Sequence, residues 1–146
     1  KIPVPTKRVA VTDVYETAVI VKRDARVLLL RHPEGKRWAG LWDFPRFETG
    51  HPSGTDSARL REIEKQLLQK GIGARVTDRI SQFQHAVTRF RIHLDVVAAD
   101  WTDGERLDDD LQNCWQRIDQ LEERALSNPG RRIATAVQRI EGGQRP

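Results

Sequence analysis

Two runs of β-branched and aliphatic residues, YETAVIVK (15–22) and RVLLLR (26–31), stand only three residues apart, with Arg23, Asp24 and Ala25 between them. So short a separation leaves the chain room only to reverse, and the pair predicts a β-hairpin near the start of the domain. A second alternation, RFRIHLDVVAA (89–99), places Phe90, Ile92, Leu94, Val96 and Ala98 on one face of a strand, and residues 74–85 alternate in the same way. Short strands are expected in LWDFPRFE (41–48) and around 114–117. Between the strands lies RLREIEKQLLQKGIG (59–73), where Ala58, Leu60, Ile63, Leu67 and Leu68 form a helical apolar stripe. Thr55 or Asp56 is the expected N-cap, and Gly71 and Gly73 end the helix. Two further helices are expected at about 118–124 and 130–141, with Pro129 opening the second. The order β-β-β-α-β-β-(β)-α-α predicts an α+β domain, a mixed β-sheet with helices on both faces.

The 146 residues with 38% hydrophobic content suffice for one core. No apolar run reaches the length of a membrane span, and no signal-peptide pattern opens the chain. The single cysteine, Cys114, excludes an internal disulfide and a four-cysteine cluster or zinc site within this chain, and it suits a reducing compartment. Twenty-five basic against 21 acidic residues give a formal charge of +4, a mild lean toward anionic partners. Residues 1–13, KIPVPTKRVAVTD, hold two prolines and no periodicity and are expected to be an interdomain linker. The domain proper is then 14–141, with 142–146 a flexible tail, and the chain reads as a fragment of a longer protein.

The helix carries Arg61-Glu62-Ile63, the opening of a metal-binding pattern in which paired glutamates follow at spacings of three and four. Lys65 and Gln66 stand where those carboxylates belong, and Leu68 stands where the pattern has glycine. Glu62 and Glu64, two residues apart, diverge around a helix and do not share one ion, so no catalytic metal is expected here. The acidic stretch DGERLDDD (103–110) lacks the alternating ligands and turn glycine of a calcium loop, and a solvated loop is expected.

The hairpin, then RWAGLWDFPRFETG, then the helix with REIE, then FQHAVTRFRIHLDVV, resembles the C-terminal domain of the A/G-specific adenine DNA glycosylases of the MutY family. GLWDFPRFE (40–48) is the strongest element of the likeness, and ALSNPGRRIATAV and the linker KIPVPTKR add to it. The resemblance covers about residues 15–141 and implies the fold of the MutT-type Nudix hydrolases, an α/β/α sandwich, turned to reading damaged DNA. In the family a Phe-Ser-His motif enters DNA near the opposing base. Placed through Phe83, His85 and Phe90, it falls on Val87, Thr88 and Arg89. Thr88 keeps a hydroxyl able to meet the N7–H of 8-oxoguanine, Val87 an apolar wedge, and Arg89 a cation for phosphate or base. A plain hairpin turn is the alternative reading of the same three residues.

Lys36 and Arg37 beside Trp38 are candidate phosphate contacts or ordinary surface charge, Arg46 is a candidate DNA-facing residue, and His85 is either a base contact or a structural histidine. The resemblance thus implies a domain that recognises 8-oxoguanine opposite adenine in double-stranded DNA during base excision repair. Its partner would be an N-terminal glycosylase domain carrying a 4Fe-4S cluster, with no cofactor in this segment and no membrane. The setting would be bacterial cytoplasm and nucleoid, or a nucleus. Two other classes stand beside it: a free-standing Nudix hydrolase acting on nucleoside diphosphates with Mg²⁺, and a protein-interaction module on the same scaffold.

Overall fold

A computed structural model describes residues 10–32, 39–49, 56–102 and 112–141. Strand β1 (Thr12–Arg23) starts within the expected linker and turns into β2 (Arg26–Arg31) through two residues, with Arg23 paired to Arg26. Asp24, the first turn residue, takes a φ of 56°, a left-handed conformation that aspartate tolerates better than most side chains. The run 41–48 forms two short strands rather than one. β3 (Trp42–Asp43) pairs with β2, and β4 (Arg46–Glu48) pairs with β1. The chain changes partner at Phe44-Pro45, where proline has no N–H for a ladder and its carbonyl accepts from the Val19 amide at 2.8 Å.

Helix α1 (Asp56–Gln69) ends as its glycine predicts. Gly71 has a φ of 81°, the Ile72 amide bonds the Leu67 carbonyl and the Gly71 amide bonds that of Leu68, a Schellman arrangement. Then come β5 (Ala74–Val87), β6 (Phe90–Trp101), β7 (Asn113–Arg117), a 3-10 segment (Ile118–Glu123) kinked at Gln120, and α2 (Asn128–Glu141). Among the described residues seven strands form one mixed sheet in the order β3-β2-β1-β6-β5, with β4 added to β1 and β7 to β2.

The central contact is the parallel pairing of β1 with β6, from Thr12↔Phe90 to Lys22↔Asp100. Its register fixes the two faces. Ala18, Ile20, Leu94 and Val96 point to one, where Ile133, Ala134 and Val137 of α2 close a core with Phe44, Ile118, Leu121 and Leu126. Val19, Val21, Val97 and Ala99 point to the other, where Ile63 and Leu67 of α1 cover them together with Leu28 and Ile72. The helical stripe expected in 58–68 thus buries its Ile63–Leu67 row, while Leu68 stays 54% exposed. α1 covers only half of its face: the positions earlier along β1 and β6, around Tyr15 and His93, lie beyond the helix core.

Candidate functional site

Beyond the α1 core on that face, the register sets Tyr15 beside His93 and Thr17 beside Asp95, while β5 contributes Gln84 opposite His93 and Gln82 opposite Asp95. Tyr15 and His93 stack, ring centroids 4.7 Å apart and 15° from parallel. The His93 Nε2 lies 2.8 Å from Oδ1 of Asp13, and that bond holds the Asp13 carboxyl below its ordinary pKa, with Arg91 contributing at longer range. Tyr15, His93, Asp95, Gln82 and Gln84 line a cleft of about 320 Å³ with Arg59, Phe83 and Leu94. That volume is at the small end of ligand sites, enough for a nucleobase-sized group with the remainder of a ligand extending out.

The polar end of the cleft is built on Asp95, 4% exposed. Arg59 of α1 donates from Nη2 to Asp95 Oδ2 at 2.8 Å and to Thr17 Oγ1 at 3.3 Å. Arg79 of β5 reaches the same carboxylate, Nη2 to Oδ2 at 3.3 Å and Nε to Oδ1 at 3.2 Å. Two guanidiniums thus converge on one carboxylate. A second hollow of about 210 Å³, lined by Arg59, Arg79, Asp95, Leu60, Thr77 and Asp78 among others, adjoins the first across this cluster.

A second polar cluster lies under the sheet's other face. Asp43, 2% exposed, accepts from the Phe44 amide at 2.9 Å, from Ser127 Oγ at 2.7 Å and from Arg46 Nη2 at 3.2 Å, with His32 Nε2 at 3.0 Å. Serine, histidine and aspartate together suggest a nucleophilic triad, but the connectivity is wrong for one. Ser127 bonds the carboxylate directly, has no hydrogen bond to the imidazole, and receives the Gly130 amide at 3.1 Å as the cap of α2. The cluster ties β3 to α2. Arg46, expected as a possible DNA-facing residue, is spent here: it is largely buried between Asp43 and Glu16, whose Oε1 lies 3.4 Å from its Nε. Burial pushes the Glu16 carboxyl above its ordinary pKa, with Arg46 opposing that shift.

Of the residues singled out in the sequence, Val87 ends β5, and Thr88 and Arg89 form the two-residue turn into β6, both exposed. Thr88 has a φ of 54°. Neither turn residue lines the cleft. His85 pairs with Ile92, which sets it on the α2 face of the strand, opposite to Gln84. Lys36, Arg37 and Trp38, and the acidic stretch 103–110, lie outside the described residues. The cleft residues Tyr15, Arg59, Arg79, His93 and Asp95 were not legible as a site, because none carries a motif and they come together from four elements.

The metal of a working Nudix enzyme needs clustered carboxylates, and α1 does not supply them. Glu64 accepts the Val76 amide at 2.9 Å, which ties it to β5, while Glu62 faces Gln66 at 3.3 Å, and Lys65 is exposed. Among the described residues no group of three His, Cys, Asp or Glu side chains is placed to hold a metal ion. Nor, among them, is any helix long and apolar enough to cross a membrane.

Comparison with known proteins returns one consistent fold. The family model described as NUDIX domain matches residues 16–136. CTP pyrophosphohydrolase of Escherichia coli (strain K12) is 32% identical over 77 residues, 53% of this chain and 55% of that protein. The chain therefore spans about half the length of the curated relative it matches. Among solved structures, the E. coli ORF135 protein superposes with a TM-score of 0.75 at 20% identity, covering 92% of this chain and 94% of that one. The MutT NUDIX hydrolase from Burkholderia pseudomallei gives 0.62 at 20% identity, over 86% and 98%. At those identities the structures establish the fold alone. The expectation of a glycosylase's lesion-reading domain is corrected by these findings, since the relatives are a pyrophosphohydrolase and MutT-type Nudix proteins and nothing connects the chain to the glycosylase domain in particular. The DNA-repair roles given to Val87, Thr88, Arg89, His85, Lys36 and Arg37 lose their premise with it.

Proposed function

The chain belongs to the NUDIX domain family, and from that premise we propose that the cleft beside α1 takes a nucleoside polyphosphate. The observation that carries this reading is the layout of the cleft. A stacked ring pair, Tyr15 and His93, with the amides of Gln82 and Gln84 beside it, offers a surface for a base and groups for its edges. Two residues further along the same strands, roughly 7 Å away, lies Asp95, where the guanidiniums of Arg59 and Arg79 converge and offer an anion seat. Ring surface, a gap of about a ribose, then cations: that sequence of chemistries is a nucleotide's own.

A second reading, hydrolysis of the phosphoanhydride, is favoured by a different observation, the similarity to a protein named CTP pyrophosphohydrolase. Metal ions in such reactions polarise the phosphoryl oxygens, but the described α1 side chains do not fit one. What this chain's residues do is bind and orient: Asp95 fixes two cations, and Asp13 holds the His93 ring against Tyr15. The test is a panel of nucleoside di- and triphosphates with two readouts, thermal stabilisation of the protein and release of phosphate or pyrophosphate. A rise in Tm for nucleotides, absent for the free nucleosides, is the expected result. Absence of any shift across the panel would remove the reading.

A further inference from the structure

We infer that this domain holds its ligand's phosphate on the Arg59–Arg79 guanidinium pair, in the absence of any divalent cation. The inference rests on the nucleotide reading above and adds what replaces the metal. Its ground is the disagreement between the fold family and this chain's own donor set. α1 presents Lys65 and Gln66 in place of paired carboxylates, and its two remaining glutamates are engaged elsewhere, Glu64 with the Val76 amide and Glu62 with Gln66. A dianionic phosphate entering the domain still requires positive charge. The described cleft supplies it at one place.

Asp95 meets two guanidiniums, and among the described residues Asp78 is the other carboxylate lining the adjoining hollow. Arg59 is 13% exposed and fixed by both Asp95 and Thr17, and Thr17 is itself 3.1 Å from the Thr49 hydroxyl. That side chain is already ordered, which removes most of the entropic cost of using it. Arg79 is 51% exposed and meets Asp95 through Nε and Nη2. The other edge of its fork belongs to the hollow it lines, where a phosphate oxygen completes the pairing. Asp95 is a positioning residue in this arrangement: it aims both cations. The arrangement also explains why two adjoining hollows share Arg59 and Asp95, since the phosphate end of a ligand whose base lies against Tyr15 and His93 arrives at that junction.

The experiment is calorimetric titration of the protein with CTP and, separately, with inorganic pyrophosphate, each in excess Mg²⁺ and in excess EDTA. The proposal expects the protein's affinity for either probe to change by no more than about twofold between the two conditions, and to fall with rising salt. It expects Arg79→Ala to weaken both probes by about tenfold or more, with the urea midpoint of the protein little changed because Arg59 still pairs Asp95. Arg79→Lys keeps the charge but not the fork and should fall between the two. Lys65→Ala, remote from both hollows, should leave affinity unchanged. Binding that vanishes in EDTA would overturn the proposal while leaving the nucleotide reading intact, and so would an Arg79→Ala variant that binds as well as the parent. Failure of either probe to bind in both conditions would remove the nucleotide reading itself, and this inference with it.

Discussion

Thr88 carries a backbone constraint that its hydroxyl does not announce. Its φ of 54° is left-handed, and a β-branched side chain pays about 1–2 kcal/mol for that conformation. Positive φ at the first turn residue alone is the type II′ pattern, whose preferred occupant is glycine. Thr88→Gly removes the strain and loses roughly 0.5–1 kcal/mol to chain entropy. A net gain of about 0.5–1 kcal/mol is therefore expected, read as a higher urea midpoint at unchanged slope. The hydroxyl was legible in the sequence, but the backbone angle that governs the site was not, since nothing in Val87-Thr88-Arg89 advertises a II′ turn. Asp43 is the opposite case, a residue with no motif that organises four groups. Asp43→Ala leaves Arg46 buried beside Glu16 alone and strips Ser127 and the Phe44 amide of their acceptor. A loss of about 3–5 kcal/mol is expected in the same denaturation measurement.

Helix α1 was readable almost letter by letter. The Ile63–Leu67 row and the glycine stop follow from spacing, and the structure places both where the spacing puts them, while Leu68 of the same stripe is exposed. The same logic makes the loss of the metal reversible on paper. Glu62 with Lys65→Glu and Gln66→Glu would present three carboxylates at spacings of three and four on one helix face. The double variant is expected to gain a Mg²⁺-dependent rise in Tm that the parent protein lacks, and an equal response in both would contradict this account of the helix. Less legible were the elements shaped by partners distant in sequence. LWDFPRFE reads as one strand, yet β1 and β2 compete for its backbone and Pro45 divides it between them. The segment at about 118–124 reads as a helix, but Ile118–Glu123 forms 3-10 turns kinked at Gln120, whose carbonyl accepts from the Gln116 side chain at 2.9 Å. At the start of α2, Gly130 sits where a Cβ would come 3.1 Å from Ser127 Oγ and 3.2 Å from Asp43 Oδ1, both held by hydrogen bonds. Gly130→Ala gains about 1 kcal/mol of helix propensity and loses about 1–3 to crowding, so a small net loss of stability is expected in urea.

Across the whole molecule, the cleft exists because β1 lies parallel to β6, bringing Tyr15 and Thr17 beside His93 and Asp95 from the far side of the chain. Strict alternation back from Gln82 would put Ile80 on the cleft face and Arg79 on the α2 face. The register shift between Arg79 and Ser81 exchanges them, sending Ile80 to the core and Arg79 to Asp95. A bulge of that kind leaves no trace in the letters, which is why the strands were foreseeable and their convergence was not. The same sheet also sets how stability responds to acid. Glu16, raised above its ordinary value of 4.5 chiefly by burial, binds its proton more tightly folded than unfolded. Its contribution is therefore fully present below that value and is lost as pH rises through the folded pKa. Asp13, lowered below 3.8 chiefly by the bond from His93, does the reverse: its contribution is present above that value and is lost as pH falls through the folded pKa. The two groups act in separate windows, so each variant should alter one limb of the profile. Glu16→Gln should flatten the decline above pH 4.5, and Asp13→Asn should flatten the loss below 3.8, in urea midpoints measured across that range. A profile in which Glu16→Gln changes only the acid limb would mean that the carboxylate is solvated rather than buried against Arg46.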